Sequence, residues 1–167
     1  MMLDSEFEPI LHLVEEAARL EQSRGAEEMS SHLVRLGWAP EGSVSLPFPR
    51  RLGRAGLALG IEGDGESVVI GVTLREWPVD WDSVEYVRAA TDGYEAPVRE
   101  LLQWDERLTA EVGGRFEVEA EGLVLDPDEC FFVQSVSRRV SRVHLTLGVE
   151  HLDPDDTPIR VSLHLSW

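Results

Sequence analysis

Histidines, clustered carboxylates and clustered arginines are the residue types in this 167-residue chain whose spacing suggests chemistry. His144 and His164 sit in two C-terminal runs of alternating apolar and polar residues, Val143 to Val149 and Ile159 to Trp167. If Val149 pairs with Ile159, so that 150 to 158 form the loop, the two imidazoles fall opposite each other on the outward face. Their Cβ atoms are then about 5 Å apart, and the rings could hold a metal once an acid completed the shell. Two polar residues on a solvated face give the same pattern, and the sequence fixes no third ligand. His151 joins such a site only if its loop folds back.

The carboxylates fall into two kinds. Glu117, Glu119 and Glu121 alternate with Phe116, Val118 and Ala120, so three negative charges project together from one strand and a cationic partner would relieve their repulsion. This makes them the candidate partner-binding residues. Asp126-Pro127-Asp128-Glu129 and Asp153-Pro154-Asp155-Asp156 each follow a strand-like run. They lack the glycine and distal glutamate of an EF-hand and read as acidic turns. Two arginine islands, Arg50/Arg51/Arg54 and Arg138/Arg139/Arg142, stand against this acidic background, either pairing with internal acids or holding a carboxylate or phosphate.

Several chemistries drop out. The chain contains no lysine, which a Walker-type phosphate loop or a Schiff-base enzyme requires. The absence of lysine and asparagine together fits a G+C-rich bacterial genome. There is no G-x-S-x-G elbow. The single cysteine, Cys130, follows Asp128 and Glu129, whose charges disfavour a thiolate, and Phe131 and Phe132 beside it suit inert packing. Gly60, Gly63 and Gly65 lead into a strand rather than a helix N-terminus, so they do not form a dinucleotide fingerprint. No cofactor is implied.

The elements that must position these residues begin with a hairpin, Gly56 to Trp77. Asp64-Gly65 suits a two-residue turn with both φ positive. Counting outward sets Ile61 across from Val68, Leu59 from Ile70 and Leu57 from Val72, leaving Gly56, Ala58, Gly60, Val69, Gly71 and Thr73 on the other face. A packed helix is the simplest reason for so many small residues there. Helical periodicity covers residues 4–23 and a second helix from Ala26 to Gly37, where Gly37-Trp38 suits a Schellman close. Residues 39–55, with three prolines, read as an irregular connection with one short strand at 44–48. A capping box, Asp82 and Glu85, opens a third helix, and Pro97 to Gly113 forms a fourth. From Arg115 the period becomes two, with a break near Ser137 to Arg139. The predicted fold is a single α+β domain, residues 1–167. It has an antiparallel sheet of about six strands, made of the hairpin 56–77 and the C-terminal strands 115–167, with an N-terminal and a middle helix pair packed on it.

With 32 acids against 15 arginines the net charge is −17, far beyond the two to eight or so that keeps a small domain soluble. A polyanion would be repelled, so nucleic acid is not the expected partner. No apolar run is long enough to span a bilayer, and the acidic start is unlike a secretory signal, which points to the cytoplasm. Charge, size and the lack of a catalytic set point to a non-enzymatic acidic protein-binding module, an immunity-type inhibitor masking a basic protein. The alternative is a small-molecule or metal pocket domain, possibly enzymatic in the sense that His144, His164 or the arginine islands would do the work. A homo-oligomer would also explain the glycine-rich face.

Overall fold

The computed structural model describes residues 4–20, 25–42, 48–63, 67–79, 93–118, 133–151 and 158–167. The chain is α+β. Among the described residues three helices, α1 (Asp4–Arg19), α2 (Ala26–Arg35) and α3 (Glu95–Val112), accompany eight strands. These are β1 (Ala39–Pro40), β2 (Arg51–Arg54), β3 (Leu57–Glu62), β4 (Val69–Trp77), β5 (Phe116–Val118), β6 (Gln134–Val140), β7 (Val143–Glu150) and β8 (Ile159–Ser166). They form one antiparallel sheet in the order β1-β2-β3-β4-β8-β7-β6-β5. Among the described residues no helix is long and apolar enough to cross a membrane.

Alternation drives the architecture. Ile159, Val161, Leu163 and Leu165 of the central strand β8 are at most 1% exposed and meet Ile70, Val72, Leu145, Leu147 and Val149 of its neighbours on one face. The helices cover that face with Ile10, Leu13, Val14, Met29, Leu33, Leu101, Trp104 and Leu108, forming one buried cluster with the strands. Pro9 lies in an early turn of α1, where its missing N–H costs little. Helix α2 closes as its sequence predicts. Gly37 has φ +92°, its N–H donates to the Val34 carbonyl, and the Trp38 N–H donates to that of Leu33. Trp38 is 1% exposed, and Arg54 Nη1 donates to the Leu36 carbonyl at 2.7 Å.

The sheet is larger than the six strands read from sequence because the Pro-rich connection supplies two more, β1 and β2. The expected strand at 44–48 lies mostly outside the described residues, as do the helix opened by Asp82 and Glu85, Cys130 and both acidic loops. Ala55 and Gly56, both at positive φ, make the tight β2–β3 turn, so Gly56 is a turn residue and not part of a strand. In the β3–β4 hairpin Ile61 pairs with Ile70 and Leu59 with Val72, two residues away from the register a two-residue Asp64-Gly65 turn would impose. The shift is even, so every side chain keeps its expected face. Gly63 is required where it stands. Its φ is +103°, and a Cβ there would collide with the Ser67 carbonyl oxygen.

The expected break at Ser137 to Arg139 is absent, and β6 runs through to Val140 before a turn at Ser141, φ +56°. What interrupts the pattern is Arg138, which occupies an inward position between Val136 and Val140 and pairs with Asp105 of α3 at 2.7 Å. A similar device sits on β4, where a bulge between Thr73 and Arg75 turns Arg75 toward the helices. There it pairs with Glu6 of α1 at 3.1 Å and Glu100 of α3 at 3.8 Å.

The glycine face is not under any of the three helices. Among the described residues, nothing comes within 4 Å of a Cβ built at Gly60, and one at Gly71 meets only the His164 ring, at 3.6 Å. Gly60→Val is therefore expected to change stability by no more than about 0.5 kcal/mol in urea unfolding, and a larger loss would reveal packing on that face. Deleting Leu165 to Trp167 should instead abolish cooperative unfolding. Leu165 is fully buried and Trp167 is partly buried against the core cluster, lining one small cavity with residues of α1 and α2, while losing one buried leucine alone costs about 2 to 5 kcal/mol. An unchanged melting curve for the truncated protein would refute the packing described here.

Candidate functional site

The outer face of the sheet, away from the helices, is built from four cross-strand rows, of which the outermost holds Glu62, Val69, Ser166, His144, Arg139 and Glu117 and the other three follow in order. The first of those three runs Arg51, Gly60, Gly71, His164, Thr146, Ser137. The second runs Gly53, Ala58, Thr73, Ser162, Gly148, Ser135. The third holds Glu76, Arg160 and Glu150. Val69 is the largest apolar side chain in these rows.

His164 and Glu150 are brought together across this face. His164 Nε2 and Glu150 Oε1 are 2.6 Å apart, although the residues stand in the first and third rows of neighbouring strands. The row between them carries only Ser162 and Gly148 at that point, and side chains this small leave the imidazole and carboxylate room to meet above them. Glu150 is 8% exposed and His164 about one third exposed, so the pair has a buried acid and an accessible ring. The ring lies over Gly71, and Thr146 is its direct cross-strand neighbour. Thr146 Oγ1 lies 3.4 Å from Ser137 Oγ. Arg160, in register with Glu150, binds Glu76 at 2.6 Å, so opposite charges alternate along the third row. A carboxylate bonded to one ring nitrogen fixes the tautomer and orientation of an imidazole, as it does for metal-bound or general-base histidines.

The histidine register differs from the one assumed from sequence. Val149 pairs with Val161, not Ile159, so His144 faces Ser166 and His164 faces Thr146. The two histidines share a face as diagonal neighbours rather than standing opposite. Among the described residues no three potential metal ligands converge. His151 does not fold toward them. It is buried at the end of β7, where its Nδ1 lies 2.6 Å from the hydroxyl of Tyr94, just before α3, with the rings edge to face.

Glu117 lies on the edge strand β5 and is bound by the Arg139 guanidinium, through Nε at 3.1 Å and also through Nη2. Its charge is thus matched within the chain. Glu119 and Glu121 lie outside the described residues. The arginine islands are largely spent on structure. Arg54 caps α2, Arg50 Nη1 reaches the carbonyls of Ile61 and Gly63, and Arg138 and Arg139 make the ion pairs given above.

Glu150 is the site residue that sequence reasoning missed. It ends the outward series His144, Thr146, Gly148, Glu150 and is the only acid in it, a signal that becomes readable once the strand is known to extend past Val149. Glu16, which approaches His12 at 3.9 Å and His32 at 3.8 Å between α1 and α2, was also missed because its partners come from two helices. Comparison with family models, curated proteins and solved structures finds no match to this chain.

Two measurements probe these contacts. In a double-mutant cycle on His164→Ala and Glu150→Ala, the coupling energy from urea unfolding should reach about 1 to 3 kcal/mol, as for other hydrogen bonds to a charged group; a value near zero would mean the pair is not formed in solution. Tyr94 has its phenol pKa raised by burial. The folded state therefore holds that proton more tightly than the unfolded chain does, and stability falls as pH rises past the ordinary tyrosine range. Tyr94→Phe should shrink this alkaline loss while costing about 1 kcal/mol at neutral pH, the worth of one hydrogen bond. Identical alkaline profiles for the two proteins would show Tyr94 to be solvated.

Proposed function

We propose that the protein is a non-enzymatic acidic binding module that masks a basic protein, as an immunity-type inhibitor does. The observation that carries this reading is the division of charge between the layers. Across α1, α2 and α3 there are twelve acids against four arginines, a net −8, whereas the eight strands carry four acids against six arginines, a net +2. A few helix acids point inward to Arg75 and Arg138. Others, including Glu8, Glu27, Glu95, Glu106 and Glu111, are exposed. A net-negative layer of this kind attracts a cationic surface at a distance and raises the association rate more than the final affinity. The helix layer, rather than the strand bearing Glu117, is then the face a basic partner meets first, because Arg139 already matches Glu117.

The His164–Glu150 pair favours a second reading, a small-molecule or metal site on the outer face of the sheet with His144 close by. The same preparation separates the two. The protein is purified from its source cell with whatever accompanies it, and association with any basic partner is timed at two ionic strengths. Under the first reading, Glu106→Arg with Glu111→Arg slows association on the order of tenfold at low salt and flattens its salt dependence, while Glu117→Arg has a smaller effect. Recovery of no basic partner, together with a stoichiometric metal or small molecule lost in His164→Ala, would overturn the inhibitor reading in favour of the second.

A further inference from the structure

We draw no further inference here: the strongest candidate, the His164–Glu150 pair with Thr146 beside it on the outer face of β7 and β8, belongs to the site already described, and nothing in the structure shows what it would hold beyond the classes given there.

Discussion

Everything else in the molecule depends on burying one face of a single antiparallel sheet. The inward aliphatic side chains of β4, β8 and β7 are almost completely removed from water, and each one so buried contributes about 1.5 to 3 kcal/mol relative to exposure. That gain is realised only if the alternation of each strand stays in phase with its neighbours, since a slip of one residue would send the whole apolar set outward. A slip of two keeps the faces and changes only the partners. The outer face is thereby relieved of packing by the helices, and its residues at Gly60, Gly71, Thr73 and Gly148 can be small without opening a hole in the core.

Where the inward pattern is broken by charge, the charge orients a helix. Arg75 and Arg138 stand in positions that alternation reserves for apolar residues, and each is answered by acids from the layer above: Glu6 and Glu100 for the first, Asp105 for the second. Such partly buried pairs add little net stability compared with hydrophobic side chains of similar volume, but removing one partner strands the other. Their geometric effect is plainer. Arg75 ties α1 and α3 to the same point of β4, and Arg107, bound to Asp4 at 2.7 Å with its guanidinium 3.9 Å above the Phe7 ring, ties the two helices to each other. Phe7 in turn packs against Trp104, ring centroids 5.8 Å apart. The acidity of the helices therefore has two components, an inward one that fixes their placement and an outward one that sets the field of that face.

Much of this was legible in the sequence because it rests on period alone. The faces of β3, β4, β7 and β8, the Gly37-Trp38 closure and the α+β class all follow from residue spacing. Register was harder, because it depends on loop length. The register that an Asp64-Gly65 two-residue turn implies and a Val149–Ile159 pairing both differ from the observed pairing by two residues. The second error put His144 in place of Thr146 opposite His164 and hid Glu150. Strand β6 was misread for a different reason, since an inward arginine looks like the end of a strand until its partner on a helix distant in sequence is known. The unequal charge of the two layers was invisible for a similar reason, because net charge is a property of the chain whereas its division depends on which segments share a side.

The two candidate surfaces lie on opposite sides of the sheet. The exposed acids of α1, α2 and α3 face away from the core, and His164 with Glu150 faces away from it on the other side, with the fully buried Leu163 and Leu165 of β8 between. Fields from exposed charges are screened within about 8 Å at physiological ionic strength. Coupling between distant sites requires an element with two states that both sites bias. The inward ion pairs at Arg75 and Arg138 tie the helices to the sheet. Charge reversal on the helices should thus leave the His164–Glu150 hydrogen bond unchanged, and breaking that bond should leave electrostatic steering unchanged. Any contribution of the histidine pair to partner binding would have to come from direct contact on its own face.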